Sequence, residues 1–396
     1  MRSMMVWRAV LLLVLSGSAV ARRAHRPNDA PLVEARTEPA YYGPPLGDAC
    51  SGLWPLPQNA TCSGDGALAL PATDFSFEAA SGPAKSSALL QRAFQRFHSH
   101  IFAPLRPHPQ LGDVAAKPKP PQQQLSQLSV SVTSSNETLG LGVDESYSLH
   151  IDGASASLTA TTVWGALHGL EAFSQLTIRT VGDTSSVRIN STKVQIDDSP
   201  RFPWRGIMID TSRHWHPVSS ILAMVDAASF NRMNVIHWHI TDAQSFPLKT
   251  KAFPKLVDGA YGGAGSSLYY NSDDVKRIVS YAKDRCVRVV PEIDSPGHSA
   301  SWQLGYPEVG VDVPHDWYSG MVDPTKEASF DLLAGLFGEL AEMFDGAPSF
   351  SFPPSLPPPS PFFLSLCDNL STCCPPSTLS SSLSSSSSSS SSPSTN

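Results

Sequence analysis

The chain has 396 residues and is 41% hydrophobic, which is enough for two globular domains with buried cores. Its formal charge of −7 at pH 7, with no dense cluster of lysine and arginine, argues against nucleic acid as a partner. Beyond solubility, the sign of the charge predicts nothing more.

The N-terminus has the pattern of a secretory signal. Arg2 and Arg8 precede an apolar run, residues 9–15, that is too short to span a bilayer. Ala19-Val20-Ala21 is typical of a cleavage site, so we predict that residues 1–21 are removed on export. An apolar leader without this role is the alternative. We therefore expect the secretory pathway, with the vacuole or lysosome and the cell exterior both open, and no membrane span.

The cysteines and glycosylation triplets fit an oxidising compartment. Six cysteines are too few for a fold of this size that is built on disulfides. Cys50 and Cys62 are close enough in sequence to bridge, whereas Cys286 precedes a predicted buried strand and is expected to be a free thiol. Acceptor triplets, each a weak signal alone, begin at Asn59, Asn136, Asn190 and Asn369.

Residues 22–49 predict an extended lead-in, because they are rich in Pro, Arg and Ala and lack periodicity. Residues 50–199 predict an α+β domain, because helical and strand-like apolar spacings are mixed along them. Its predicted elements are a helix at Ala88–Phe102, strands at Leu128–Val132 and Ser146–Ile151, a helix at Thr162–Thr177, and a strand pair within Val187–Ile196 that turns near Asn190.

Residues 200–346 show a different rhythm, in which strands alternate with helices, and this predicts a parallel sheet. A glycine-rich loop at residues 259–267 is expected to face a ligand. Ser272 or Asp273 is the expected N-cap of the second helix. The predicted strands are Gly206–Asp210, Asn234–Ile240 and Val287–Ile293, and the predicted helices are Ser219–Asn231, Asp273–Arg285 and Ser329–Met343.

The first of these strands is bounded by charged residues. Asp210 ends it, and either contributes a carboxylate to a barrel mouth or caps the next turn and pairs with Arg213. Arg205 opens it among aromatic residues, where a buried guanidinium needs an acceptor. A neutral polyol and an internal salt bridge are the two alternatives for that acceptor.

The second strand ends in two histidines. Strand alternation places His237 and His239 on one face and Asp242 on the other. A His-x-His pair on one face suits a divalent metal, for which Asp294 and His298 are the further candidate ligands. Structural histidines that are bonded to the backbone are the favoured alternative.

The third strand ends in carboxylates. Glu292 and Asp294 share a face, and the turn at Pro296-Gly297 presents His298 above the strand end. A histidine beside carboxylates can orient an acid/base group. A histidine that only caps a loop is the alternative for His298 taken alone, but the three strand ends together favour the functional interpretation.

The sequences WRGIMIDTSRH, NVIHWHITDAQSFP and EIDSPGHSASW resemble the β-N-acetylhexosaminidases of glycoside hydrolase family 20, in their plant or algal form. LWPLPQN, AFQRF, DESYSL and WGALHGLEAFSQL are similar to the N-terminal α+β domain of that family. The resemblance covers roughly residues 50–345. It implies an α+β domain followed by a (β/α)8 TIM barrel, of which this chain carries about three of eight βα units, with a disordered Ser/Pro-rich tail at residues 347–396.

The resemblance also implies an activity. Family members remove terminal N-acetyl-D-hexosamine residues from N-glycans, glycoconjugates or chitooligosaccharides with retention, using the acetamido oxygen of the substrate as nucleophile and neither a cofactor nor a metal. A homodimer is an open alternative for the full-length family. By motif, Arg205 and Asp242 bind the sugar, Asp242 and His298 form a relay for a glutamic acid, and the supporting candidates are Asp210, Glu292 and Asp294.

The sequence departs from the family after the third predicted helix. A Gly-Gly-Asp-Glu stretch that contains the acid is expected near residue 355, where SFPPSLPPPSP stands, and no Asp-Glu pair follows Asp345. We expect residues 347–396 to be translated non-coding sequence, with a glycosylated stalk as the alternative, and the chain to be inactive. The rival functions are a non-catalytic glycan binder that uses Arg205 and Asp242, and a metal-dependent barrel hydrolase that uses His237 and His239.

Overall fold

A computed structural model describes residues 49–103, 121, 123–179, 187–311 and 320–344. The predicted signal at residues 1–21, the lead-in up to residue 48, the triplet at Asn369 and the Ser/Pro-rich segment lie outside these ranges. Of the helices within them, none combines the length and the apolar composition that a membrane crossing requires.

The N-terminal domain contains two sheets. A six-stranded sheet has the order β1-β10-β6-β7-β5-β3, and a four-stranded sheet has the order β4-β2-β9-β8. The strands are β1 (Asn59–Ser63), β2 (Leu68–Leu70), β3 (Ser76–Ala79), β4 (Gln123–Gln124), β5 (Gln127–Val132), β6 (Tyr147–Asp152), β7 (Ser155–Ala160), β8 (Thr177–Arg179), β9 (Val187–Ile189) and β10 (Lys193–Asp198).

Helices of this domain pack on the larger sheet. The short α1 (Gly82–Ser86) leads into α2 (Ala88–Phe102), which buries one apolar stripe, and α3 (Val163–Leu176) is buried on almost every side. Burial alternates along β6 and β7 because one sheet face meets this helical layer. Ser87 and Thr162 cap α2 and α3 by accepting backbone N–H groups. The predicted helices and the predicted strands β5 and β6 are therefore confirmed.

The predicted pairing within Val187–Ile196 is wrong. The two strands exist, but β9 pairs with β2 and β8, whereas β10 pairs with β1 and β6. The turn at Asn190 therefore carries the chain from one sheet to the other. Local alternation predicts a strand but does not specify its partner, which long-range packing decides.

The two cysteine predictions are confirmed. Cys50 and Cys62 form a disulfide, and Cys286 is a buried free thiol.

The C-terminal α/β domain contains a three-stranded parallel sheet of order β11-β12-β13. β12 is central and almost wholly buried, which explains its continuous apolar run. The elements are β11 (Gly206–Asp210), α4 (Val218–Phe230), β12 (Val235–Thr241), α5 (Ser272–Lys283), β13 (Arg288–Ile293) and α6 (Glu327–Met343), in agreement with the predicted three βα units.

The N-cap of α5 differs from the prediction. Neither Ser272 nor Asp273 caps the helix; Asn271 does, because its side chain accepts the backbone N–H groups of Asp273 and Asp274. Asp274 in turn accepts the backbone N–H of Asn271, which completes a capping box.

Candidate active site

Strand register brings polar side chains together at one edge of the parallel sheet. Asp210 of β11 lies opposite His239 of β12, which lies opposite Glu292 of β13. All three stand at the carboxyl ends of their strands, where catalytic groups gather in parallel α/β folds. The backbone pairing itself therefore builds the first row of the site.

The side chains of His239 and Asp242 meet, although alternation predicts that they point to opposite faces. His239 Nε2 lies 2.9 Å from Asp242 Oδ2. The register between β12 and β13 shifts between His239 and Thr241, so the simple period of two ends before Asp242. The backbone N–H of Ala243 donates a 2.6 Å hydrogen bond to Asp242 Oδ1 and so fixes the carboxylate. The predicted opposite facing is therefore wrong.

Both histidines of β12 are bonded to carboxylates rather than to the backbone. His237 Nε2 lies 2.6 Å and His239 Nδ1 lies 3.0 Å from the same oxygen, Glu292 Oε2. Burial alone would lower the pKa of His239, but its contacts with Glu292 and Asp242 raise that pKa to about 9. Hydrogen bonds from the two imidazoles lower the pKa of Glu292. His239 and Glu292 therefore form a charged pair around neutral pH.

Both alternatives considered for Asp210 hold at once. Its Oδ1 accepts the backbone N–H groups of Ser212 and Arg213, and its Oδ2 lies 2.8 Å from Arg213 Nη1. Burial raises the pKa of Asp210, but these hydrogen bonds outweigh it and lower the pKa overall. Asp210 thus caps the turn that follows β11 and also lies in the row of carboxylates at the strand ends.

Arg213, which the sequence predicts only as a partner of Asp210, also lies at this site. Its Nη2 lies 2.6 Å from Asp242 Oδ2, and its side chain remains 40% exposed. Tyr261, in the predicted ligand-facing loop, donates its hydroxyl to the Arg213 carbonyl. The signal that could have identified Arg213 is its position just after a strand end within the TSRH stretch.

His298 stands above the strand ends in a left-handed backbone conformation, with φ +55°. Its Nδ1 lies 2.9 Å from Asp294 Oδ2 and 3.5 Å from Asp242 Oδ2. Burial raises the pKa of Asp294, and the neighbouring charges of Asp242 and Glu292 act in the same direction. His298 therefore bridges two carboxylates while much of its ring stays accessible.

Arg205 does not join this cluster. It precedes β11, so it lies at the amino end of the sheet, roughly 16 Å of extended strand from Asp210. Its guanidinium pairs with the buried carboxylate of Glu145 and donates 2.7 Å hydrogen bonds to the carbonyls of Phe202 and Arg232. Of the two acceptors considered for Arg205, the structure therefore shows the internal salt bridge.

The metal hypothesis involves His237 and His239, with Asp294 and His298 as the further candidate ligands. Of the described residues at this end of the sheet, His239, Asp242 and Asp294 can each bring one atom within 4.8 Å of the others, a set that omits His237. Both imidazoles are instead occupied by Glu292 and Asp242. The donor set therefore fits a network of ion pairs better than a His-x-His metal centre.

Two family models match the chain. Residues 53–176 match the family "beta-acetyl hexosaminidase like", and residues 202–351 match "Glycosyl hydrolase family 20, catalytic domain". The first range falls in the N-terminal domain. The second contains all the residues of the cluster at the strand ends.

Named relatives agree with these matches. The chain is 41% identical over 221 residues to β-hexosaminidase subunit A1 of Dictyostelium discoideum, covering 55% of this chain and 40% of the relative. It is 39% identical over 303 residues to β-hexosaminidase subunit beta of Mus musculus, covering 74% of this chain and 54% of the relative. The chain thus spans about half the length of the relatives that it matches.

The fold is similar to that of the family 20 chitobiase of Flavobacterium johnsoniae, with a TM-score of 0.60 and 32% identity over 74% of this chain and 43% of that one. The architecture is accordingly an N-terminal domain followed by a TIM-barrel-like domain, of which the described residues contain three βα units. On the family matches, the relatives and the shared fold, the chain belongs to glycoside hydrolase family 20, a family of glycosidases that includes β-hexosaminidases.

Proposed function

We propose that this chain carries the sugar-facing half of a β-N-acetylhexosaminidase site that acts on glycans with a terminal N-acetylhexosamine. The observation that carries the proposal is the contact of His298 with Asp242 and Asp294 at the strand ends. In a substrate-assisted glycosidase, a histidine between carboxylates can aim and tune the acid that protonates the leaving oxygen. Asp242 and His298 are the proposed relay.

Arg213 is the proposed contact for sugar hydroxyls, in place of Arg205. Its guanidinium lies beside Asp242 and is partly exposed at the same end of the sheet. Asp210 holds it in place through the turn. A fixed arginine presents several donors in a rigid fork, which suits a polyol whose hydroxyl oxygens accept hydrogen bonds. Asp242, through its carboxylate, supplies the complementary acceptor.

The acid itself has no counterpart in the sequence. No glutamate follows Asp345, and the stretch near residue 355 reads SFPPSLPPPSP. Without a group that protonates the leaving oxygen, Asp242 and His298 have no acid to orient or to adjust in pKa. The polypeptide of this sequence is therefore proposed to be inactive, or nearly so, although it keeps the groups that we propose bind a sugar.

The test is hydrolysis of a chromogenic N-acetylglucosaminide by the purified chain, with a full-length β-hexosaminidase as the positive control. The expected result is no turnover above the rate without protein. Ordinary turnover would refute the proposed inactivity. Binding of N-acetylglucosamine without turnover would identify the chain as a glycan-binding protein, the first of the rival functions.

The location and assembly of the protein belong to the same proposal. The predicted signal at residues 1–21 supports entry into the secretory pathway. Sequencing the N-terminus of the protein from its native source tests this, since retention of Met1 would contradict it. A homodimer is the proposed assembly, and sedimentation analysis of this chain tests it, since a monomer at all concentrations would contradict it.

A further inference from the structure

His239 presents both of its ring nitrogens to carboxylates. Nδ1 lies 3.0 Å from Glu292 Oε2, and Nε2 lies 2.9 Å from Asp242 Oδ2. An ionised carboxylate only accepts hydrogen bonds, so each of these nitrogens must carry a proton. A neutral imidazole has one proton and satisfies one of these contacts. The geometry therefore requires the doubly protonated, positively charged ring.

One contact, with Arg213, favours an unprotonated Nε2. Arg213 Nη1 lies 3.2 Å from His239 Nε2, and arginine only donates. If Nε2 were bare and accepted that bond, its lone pair would face the closer Asp242 Oδ2 at 2.9 Å. Arg213 is already paired with Asp210 at 2.8 Å and with Asp242 at 2.6 Å. The doubly protonated ring therefore removes the closer repulsion and leaves Arg213 satisfied.

Glu292 stabilises the positive charge of the His239 imidazolium. His239 is almost wholly buried, and burial of a cation without a partner is costly. Glu292 lies directly opposite it on the neighbouring strand, and its Oε2 also accepts from His237 Nε2 at 2.6 Å. The remaining charged neighbours of the His239 ring are Asp210 from β11, Arg213 from the turn that follows it, and Asp294, which has a carboxylate oxygen within 4.8 Å of a ring nitrogen. His298 contacts Asp242 and Asp294.

We propose that Glu292 is a positioning residue: by pairing with Nδ1 it keeps His239 as an imidazolium, and this buried cation holds the Asp242 carboxylate aimed at His298. The importance of this for catalysis rests on the function proposed above for Asp242 and His298. The charge state inferred for His239 does not depend on that function. Among the described residues Glu292 pairs with His237 and His239, whereas His298 pairs with Asp242 and Asp294, so Glu292 acts through His239 and Asp242.

The experiment is an NMR titration of the full chain with 13C-labelled histidine. His239→Asn removes one signal and so assigns it. The expected signal of His239 in the unaltered chain stays that of an imidazolium through pH 7.5. Glu292→Gln is expected to lower the midpoint of this titration by about 1–3 pH units, since it removes one of the two carboxylates that are hydrogen-bonded to the ring. The His298 signal is expected to shift too, although Glu292 does not touch that residue.

Two further variants make the test specific. Glu308→Gln, at an exposed position, is the matched control and should leave both signals unchanged. His237→Asn leaves Glu292 to His239 alone, so the midpoint of His239 should stay or rise. If Glu292→Gln does not fold, the unaltered chain and His237→Asn still decide the charge state.

A neutral His239 at pH 7 in the unaltered chain, or a midpoint that Glu292→Gln leaves unchanged, would overturn the proposal. A fall of the His239 midpoint in Glu292→Gln while His298 stays unchanged would also overturn the positioning role. None of these measurements needs sugar or turnover. A failure of the proposed glycosidase function therefore remains distinguishable from a failure of this inference.

Discussion

The carboxylate of Glu145 in the N-terminal domain accepts hydrogen bonds from the guanidinium of Arg205, which leads into the first strand of the α/β domain. Glu145 is 5% exposed, and it also contacts His168 Nε2 at 2.6 Å and Asn234 Nδ2 at 3.0 Å. Three hydrogen-bond partners therefore converge on one buried carboxylate where the two domains meet. Burial raises the pKa of Glu145, but its contacts with His168 and Arg205 outweigh burial and lower the pKa.

Replacing Glu145 is expected to weaken the whole fold. Glu145→Ala leaves Arg205 charged and without its main acceptor, so we expect a loss of about 3–5 kcal/mol in the free energy of unfolding, measured with urea. Asp152→Ala is the control, because Asp152 forms an exposed pair with Lys193 at 3.6 Å. That variant should lose no more than about 1 kcal/mol. Equal losses in the two variants would contradict the proposed importance of the buried contact.

Glu171 on α3 makes stability depend on pH. Burial raises its pKa to about 7, and its carboxylate accepts only the Gln175 amide, at 3.0 Å, among the hydrogen bonds of the described residues. The folded pKa lies above the usual 4.5, so the unfolded chain loses this proton first as pH rises. The stability therefore falls between pH 4.5 and about 7, by at most about 1.4 kcal/mol per pH unit.

Glu171→Gln tests this dependence. Its free energy of unfolding should decline less than that of the unaltered chain between pH 5 and pH 7.5, because the amide does not ionise. Thermal or urea unfolding at both pH values measures the difference. An identical decline in the two proteins would show that Glu171 does not titrate in this range.

Arg213 and Arg205 are expected to differ in their effect on ligand binding. Arg213→Ala should weaken the affinity for N-acetylglucosamine about tenfold or more, because it removes charged hydrogen bonds at the strand ends. Arg205→Ala should lower stability but leave the affinity of the folded fraction unchanged, since Arg205 lies at the opposite end of β11. Titration calorimetry or NMR measures both. The reverse order, or no binding by the unaltered chain, would refute the role proposed for Arg213.

Cys286 is expected to be unreactive in the folded protein. It is 1% exposed, and burial raises the pKa of its thiol, so little thiolate forms. Iodoacetamide should therefore label Cys286 only after unfolding, whereas Cys50 and Cys62 should require reduction as well. Peptide mapping by mass spectrometry separates these sites from the cysteines near the C-terminus. Labelling of Cys286 in the native protein would contradict its burial.

The local features of this fold could be predicted from its sequence. β11, β12 and β13 are apolar runs bounded by turn residues, and Cys50 and Cys62 are only 12 residues apart. The contacts between segments that are distant in the sequence could not be predicted from it. Glu145 precedes Arg205 by 60 residues, and nothing in the neighbourhood of either residue identifies the other. The direction in which the Asp242 side chain points depends on a register shift between β12 and β13, and alternation along one strand does not reveal such a shift.

The row formed by Asp210, His239 and Glu292 has a consequence for how the protein tolerates change. These three residues are neighbours because the main chains of β11, β12 and β13 are hydrogen-bonded in one register. Inserting a single amino acid early in β12 would turn His239 toward the opposite face and replace its partners with apolar side chains. Conservative replacements leave this geometry intact, so changes of strand length threaten the chemistry more than most exchanges of one side chain for another.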